Sequence, residues 1–333
     1  MDLLPIACAP FLTGALTVAA RAGIADCLAE GPKTAAELAG ECQLHEGVLA
    51  RVMRLLASAG IFSETADGRF ENNEASKPLR SDVFGSVRHF CILAGTEYAR
   101  SFADIWFTAT TGGPAFQHVY GGSIYRYMDL EPEAGRIYDR AMEDLARPVG
   151  ALLSESGDFT GIATVVDIGG GGGALLLGLL RAFPHMQGIC VDRQGPCERG
   201  AARLKENGEA DLAARLRFVP GDFFKGVPAG GDLYLLKNVL HNWTDASARR
   251  ILETAREAMR SGVRLLVIES LLEEGKPSLS RAMDDLFQMV ICEPGTTARS
   301  ETGMRALVSS AGFRPLSSTR LATGHTVLTT ERP

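Results

Sequence analysis

The chain has 333 residues, 46% apolar and 22% charged, with a net charge of −6. That length fits one large domain or two to three smaller ones, the composition is that of a soluble globular protein, and the acidic balance excludes polyanion binding through overall charge. Seven scattered cysteines, an odd count with no C-x-x-C pair, exclude a disulfide framework and a cysteine-rich zinc site and fit a reducing cytoplasm.

Residues 3–20 carry no charge, at the lower edge of membrane-span length. Pro5, Pro10 and Gly14 interrupt the run, and Asp2 stands where a signal peptide would begin with a basic residue. The stretch reads as one or two short buried helices at a subunit interface, not as a membrane span. "KTAAELAG" carries a capping box, Thr34 with Glu37, ahead of Leu38. In "VLARVMRLLASAGIF", Val48, Val52, Leu55 and Leu56 recur at helical spacing, and Gly60 is the expected stop. "IFSETADGRFENN" then alternates around Asp67 and Gly68, a hairpin signal.

Helices followed by a hairpin form a winged-helix pattern, which raises a DNA-binding regulator as one reading. Charge opposes it. Residues 1–90 hold eight Lys/Arg against eleven Asp/Glu, a net −3, and the candidate recognition helix has only Arg51 and Arg54 as cations. Phosphate contacts supply most nucleic-acid affinity, so a scaffold or dimerisation module is expected over 1–90. Residues 91–157 read as a mostly helical linker rich in aromatics: Phe116, Tyr120, Tyr125, Tyr127 and Tyr138. Such a segment packs a core or encloses an aromatic ligand. Pro148 is expected to end or kink the helix that starts near Glu133.

From residue 158 onward the pattern changes. "TVVDI", "QGICVD", "RLRFVP", "DLYLL" and "RLLVIE" alternate with helical segments, predicting an α/β domain with a doubly wound, Rossmann-like parallel sheet. "RPLSST" and "HTVLTT" lie close together and predict an antiparallel pair at one edge. Ligands of such sheets sit at the strands' carboxyl ends.

"VVDIGGGGGALLLGLL" is strand, five glycines and apolar helix. Glycine-rich turns let backbone amides approach a ligand and aim a helix N-terminus at it. Gly169, Gly171 and Ala174 satisfy the dinucleotide spacing, a weak match alone. Asp192 ends the next strand, where a carboxylate can accept two ribose hydroxyls. Those features fit NAD or S-adenosylmethionine equally. Asp167 and the "GDFF" stretch favour the latter. Asp167 sits two residues before the first glycine, where it can hold an ammonium or a water. Asp222 and Phe223 follow the third strand, a carboxylate for an exocyclic amine and a ring to cover a base. An NAD-dependent dehydrogenase is disfavoured by Asp167 and by the missing catalytic constellation.

In order and spacing, "VVDIGGGGG", "VD" at Asp192, "GDFF", "LLKNVLHNWTD", "VIES" and "EPGTTARS" resemble the S-adenosylmethionine-dependent O-methyltransferases of the plant caffeic acid type. Their bacterial relatives in antibiotic and polyketide pathways are the nearest resemblance, and it covers almost the whole chain. It implies a winged-helix dimerisation domain, a cytoplasmic homodimer and no partnership with nucleic acid or membrane. It implies that Gly169 and Gly171 line the methionine part of the cofactor, that Asp192 holds the ribose, and that Gly221, Asp222, Phe223 and the Lys237 segment hold the adenine, with Asp167 at the glycine loop. His241 matches the general base and Glu269 the carboxylate that orients it. Tyr138, Met142, Asn242 and Met289 fall at substrate-contacting positions.

Two positions depart from the family pattern. Asn242 stands where aspartate is common, and Ala298 where a second carboxylate is expected; Glu293 and Glu301 are the candidates to compensate. A reaction other than O-methylation on the same scaffold is the alternative reading.

A phenol has a pKa of about 10 and free imidazole about 6.5, so complete proton transfer in a solution-like setting costs roughly 5 kcal/mol. A carboxylate behind the ring raises its basicity and fixes its tautomer. No metal is expected, because no His/Asp/Glu cluster has ligand spacing.

Overall fold

The structure, a computed structural model, describes residues 3–273, 275 and 278–333. Two compact units divide the chain: Met1–Ala103 with Arg140–Leu145, and Asp104–Asp139 with Ala146–Pro333. These cuts differ from the expected ones at 90 and 157. Within the first unit His89 Nδ1 lies 2.8 Å from the buried carboxylate of Asp144, which ties Arg140–Leu145 into that unit's packing.

The first unit holds helices Ala9–Ala22, Ala35–Cys42 and Glu46–Ser58, then the hairpin of β1 (Phe62–Glu64) and β2 (Phe70–Asn72). The capping box forms: the Thr34 hydroxyl accepts from the Glu37 amide at 3.2 Å, and Glu37 Oε2 accepts from the Thr34 amide at 2.7 Å. Ile24, Leu38, Leu49, Met53, Leu56, Phe62 and Phe70 make its core. The expected apolar face of Glu46–Ser58 is turned by about one residue. Leu49, Met53 and Leu56 are buried, while Val48 and Leu55 are exposed. The helix has two adjacent apolar stripes, and the hairpin's Phe62 and Phe70 settle which one faces inward. The charge-free N-terminus forms Leu4–Ala7 and Ala9–Ala22, yet only its second half is buried: Leu3, Leu4, Ile6 and Phe11 face outward. Among the described residues, no helix is long and apolar enough to cross a membrane.

The second unit is built on a seven-stranded sheet. Its strands are β3 (Thr164–Ile168), β4 (Gln187–Asp192), β5 (Leu216–Pro220), β6 (Leu233–Lys237), β7 (Arg264–Glu269), β8 (Arg314–Arg320) and β9 (Thr326–Glu331), in the order β5-β4-β3-β6-β7-β9-β8. The first five are mutually parallel; β9 runs antiparallel to both β7 and β8. Side chains alternate between two buried clusters. Val166 and Ile168 join one with helices Asp245–Ala258 and Glu301–Ser310, and Val165 joins the other with helix Ala174–Ala182. Helices on both faces explain why the strands read as unbroken apolar runs.

Pro148 does not end its helix, which runs from Pro132 to Ser156. A proline removes one backbone hydrogen bond, but Val149 and Leu153 bury completely in the second unit's core and outweigh that loss.

Candidate active site

The carboxyl ends of β3 to β7 converge on one group of side chains. After β3, Gly171 lies in the left-handed region at φ 57°, with open space where a side chain would stand. Its amide donates to Asp192 Oδ2 at 2.8 Å, and the Arg193 amide donates to Asp192 Oδ1 at 2.7 Å. A Cβ on Gly170 would lie 2.6 Å from Asp167 Oδ2, so the loop wraps tightly over that carboxyl. Asp167 is 1% exposed, and neither oxygen has a hydrogen-bond partner. Burial, with Asp192 nearby, pushes its carboxyl up to about 7. Burial also raises Asp192 above the usual carboxylate range. Lys237, at the end of β6, is pushed down to about 8 by burial, with Glu269 and Asp167 opposing. An orphaned buried carboxyl under a glycine loop fits a ligand that brings its own cation.

Beyond β5, the Gly221 amide donates to the Asp192 carbonyl at 2.9 Å. Asp222 is exposed; it accepts from the Phe224 amide at 3.0 Å and pairs with Lys225 at 3.1 Å. Phe223 meets Trp243 edge-on at 6.0 Å and lies 3.6 Å from the side-chain position at Gly169.

The chain leaves β6 through Asn238, whose φ of 53° turns it sharply; asparagine tolerates this left-handed geometry better than most residues. A single 3₁₀ turn, Leu240–Asn242, then lifts His241 beside the end of β7. His241 Nδ1 lies 2.8 Å from Glu269 Oε2, and Glu269 is 1% exposed. The other carboxylate oxygen accepts from the amides of Leu240 at 2.9 Å and His241 at 3.4 Å. Burial alone would raise the Glu269 carboxyl, but the imidazole and the two amides outweigh it and hold it below its ordinary range. A carboxylate at this distance from Nδ1 is placed to favour the ring tautomer that carries its proton there.

Tyr138 lies within electrostatic reach of Arg193, Cys292 and Asp192, and burial raises its phenol. The Cys292 thiol donates to Asn242 Oδ1 at 3.2 Å, and Asn242 Nδ2 donates to the Asn238 carbonyl at 3.4 Å, so this amide is held by its own loop on one side and by Cys292 on the other. Met289 is exposed on helix Leu279–Ile291. Met142 falls in Arg140–Leu145, within the first unit.

Neither candidate for the missing second carboxylate reaches His241. Glu293 accepts from the Thr244 amide at 2.7 Å and the Ser247 hydroxyl at 2.8 Å, capping helix Asp245–Ala258. Glu301 binds Arg305 and Ser318. At Ala298 the backbone amide donates to Asp285 at 2.7 Å. Among the described residues, no group of three or more His, Cys, Asp or Glu is placed to hold a metal ion.

Three neighbours of the site receive no role from the sequence, although Arg299 lies within the "EPGTTARS" motif. Arg193 lies over the Tyr125 ring at 5.1 Å, donates to the Tyr125 carbonyl at 2.8 Å and pairs with Asp129. Tyr125 in turn stacks on Trp243 at 5.8 Å. His325 lies in the β8–β9 turn, next to Thr326, which pairs with Glu269. Burial lowers it to about 4, with Lys237 adding to the effect. Arg299 is buried against the loop that carries His241.

The chain matches the O-methyltransferase domain over residues 102–314 and the O-methyltransferase dimerisation domain over residues 7–82. It is 36% identical to phenazine O-methyltransferase PhzM of Lysobacter antibioticus, over 91% of this chain and 87% of that one. The crystal structure of LaPhzM superposes with a TM-score of 0.91 at 34% identity, covering 99% of this chain and 98% of that one. An O-methyltransferase from neocarzinostatin biosynthesis (NcsB1), in complex with S-adenosylmethionine and 2-hydroxy-5-methyl naphthoic acid, superposes with a TM-score of 0.80 at 29% identity, over 100% and 99% of the two chains. The converging carboxylates and histidine therefore sit on a chain that belongs to the O-methyltransferase family, with both the catalytic and the dimerisation domain of that family.

Proposed function

We propose that this protein transfers a methyl group from S-adenosylmethionine to a hydroxyl of an aromatic small molecule in bacterial secondary metabolism, with His241 as general base. The observation that carries the reading is the 2.8 Å pair of His241 Nδ1 with buried Glu269, at the same carboxyl edge of the sheet as the glycine loop, Asp167 and Asp192. When bound, S-adenosylmethionine supplies an electrophilic methyl group on a sulfonium. Asp167 meets the ammonium end, Asp192 accepts the ribose hydroxyls, and Asp222 with Phe223 takes the adenine. Tyr138, Asn242 and Met289 border the acceptor, with Tyr125 beside Tyr138. Glu269 holds the tautomer and His241 Nε2 takes the hydroxyl proton; the bound donor would give its methyl to that oxygen as its carbon–sulfur bond breaks and leave as the neutral thioether, and Glu269 stabilises the imidazolium that results. Holding the reacting atoms in line supplies most of the remaining acceleration.

The protein acts as a cytoplasmic homodimer joined through its first unit. The dimerisation-domain match over 7–82, the outward Leu4, Ile6 and Phe11, and seven free cysteines support this.

His241→Gln is expected to bind S-adenosylhomocysteine with unchanged affinity by calorimetry, while methyl transfer to a panel of phenols, read as the added mass of one methylene, falls about 100-fold to 10,000-fold. Wild-type-like turnover in this variant removes the general-base assignment.

A further inference from the structure

We propose that Arg299 is a positioning residue for the transfer: its guanidinium clamps the backbone of the loop that aims His241, and so sets where the base points. The inference rests on His241 being the base, and it concerns a residue that touches neither the ring nor the expected ligand.

Arg299 spends each of its three nitrogens on one short stretch. Nη1 donates to the Leu240 carbonyl at 2.7 Å, Nη2 to the Trp243 carbonyl at 2.7 Å, and Nε to Asp245 Oδ1 at 2.8 Å. The carbonyls flank His241 on both sides. Its side chain is 6% exposed, whereas that of Asp245 is 78% exposed, so the buried cation relies chiefly on loop carbonyls. Leu240 is gripped from both ends, its amide by Glu269 Oε1 at 2.9 Å and its carbonyl by Arg299. The two grips share a footing. The Leu272 amide donates to the Arg299 carbonyl at 2.9 Å, and Leu272 bridges to Ser300, only three residues past Glu269. The strand end that presents Glu269 to the ring thus also anchors the arginine that holds the loop.

A 3₁₀ turn of three residues has few internal hydrogen bonds and poor geometry, so it does not fix a side chain by itself. A planar guanidinium offers donors in a rigid fork that a lysine cannot reproduce. Without the fork, the loop keeps its contacts to Glu269, Cys292 and Glu293 but loses the carbonyl anchors on either side of His241, and Nε2 spends more of its time out of line with the acceptor oxygen. Misplacement of a reacting group by about 1 Å costs on the order of 100-fold in rate.

The test uses Arg299→Ala and Arg299→Lys in the full-length enzyme, each alone and combined with His241→Gln. Turnover is expected to fall about 10-fold to 100-fold in Arg299→Ala, with the acceptor KM and the S-adenosylhomocysteine Kd within about twofold of wild type. Added guanidinium at millimolar level restores part of the loss, and Arg299→Lys lies between the two. In a sample carrying ¹³C-labelled histidine, the His241 ring resonances, assigned by their absence in His241→Gln, shift and broaden in Arg299→Ala before any ligand is added. In the His241→Gln background, Arg299→Ala adds no further loss, because there is no base left to aim. The same fold of loss in both backgrounds, a parallel rise in cofactor Kd, or unmoved His241 resonances overturns the positioning role. If His241→Gln alone keeps its turnover, the general-base reading fails first, and the resonance shift still decides whether Arg299 sets the ring. Arg299→Lys keeps a cation in the buried slot, and its melting curve separates a folding defect from a misaimed ring.

Discussion

Asp167 shows at the scale of one residue what burial does to a carboxyl left without a partner. Its pKa is raised from 3.8 to about 7, so the folded state binds the proton more tightly than the unfolded one between those values. Stability from this group is therefore lost as pH rises through that window. Asparagine closely matches the neutral acid in shape. Asp167→Asn is expected to raise the melting temperature of the ligand-free protein most at about pH 7.5, by less at about pH 5, and to leave it nearly unchanged at about pH 3, below the unfolded value. The same variant should abolish proton release on S-adenosylmethionine binding, read by calorimetry in buffers of different ionisation enthalpy. Equal melting shifts at both pH values mean the carboxyl is already ionised or already partnered. Asp167 was legible in the sequence from its place two residues before the glycines. Its missing hydrogen-bond partners were not, because they depend on how Gly170 folds back over it.

At the scale of an element, helix Ile124–Leu130 is tied to two strand ends at once. Arg193 follows β4 and grips Tyr125 and Asp129; Tyr125 stacks on Trp243, which follows the 3₁₀ turn after β6. A seven-residue helix is too short to persist by its own hydrogen bonds, so these ties supply its order. Arg193→Ala is expected to raise amide hydrogen exchange over 124–130 while 264–269, deep in the sheet, keeps its protection. Unchanged exchange in the helix shows that stacking on Trp243 alone suffices. The sequence marked this stretch as aromatic and helical. It could not pair Tyr125 with Arg193, since neither residue has a periodic or motif signature linking positions so far apart. Helix Glu46–Ser58 teaches the same lesson differently: its two apolar stripes were both readable, and only packing against Phe62 and Phe70 chose between them.

At the scale of the whole molecule, the outward Leu4, Ile6, Phe11, Val48 and Leu55 leave apolar surface on a unit that matches a dimerisation domain. Large exposed apolar patches mark interaction surfaces. Phe11 is 70% exposed, so a charge there costs the isolated fold little and an apolar subunit interface much. Phe11→Asp is expected to shift sedimentation from dimer to monomer with an unchanged far-ultraviolet dichroism spectrum. A persistent dimer places the interface elsewhere on the first unit.

The sequence by itself determined the alternation of strand and helix, the antiparallel edge pair, the glycine loop with its acidic partners, and a histidine just beyond a strand end with a glutamate closing the next strand. These are local patterns of apolar spacing, turn residues and strand termini, and neighbouring parallel strands bring their carboxyl ends together. Only the tertiary structure decided that Glu293 caps a helix instead of serving His241, that Asn242 is held by Cys292, and that Arg299 closes on the loop from more than fifty residues away. Hydrogen bonds between distant segments are set by where the chain returns, and although Glu293 and Arg299 both stand in the "EPGTTARS" motif, the motif does not say which distant backbone groups they meet.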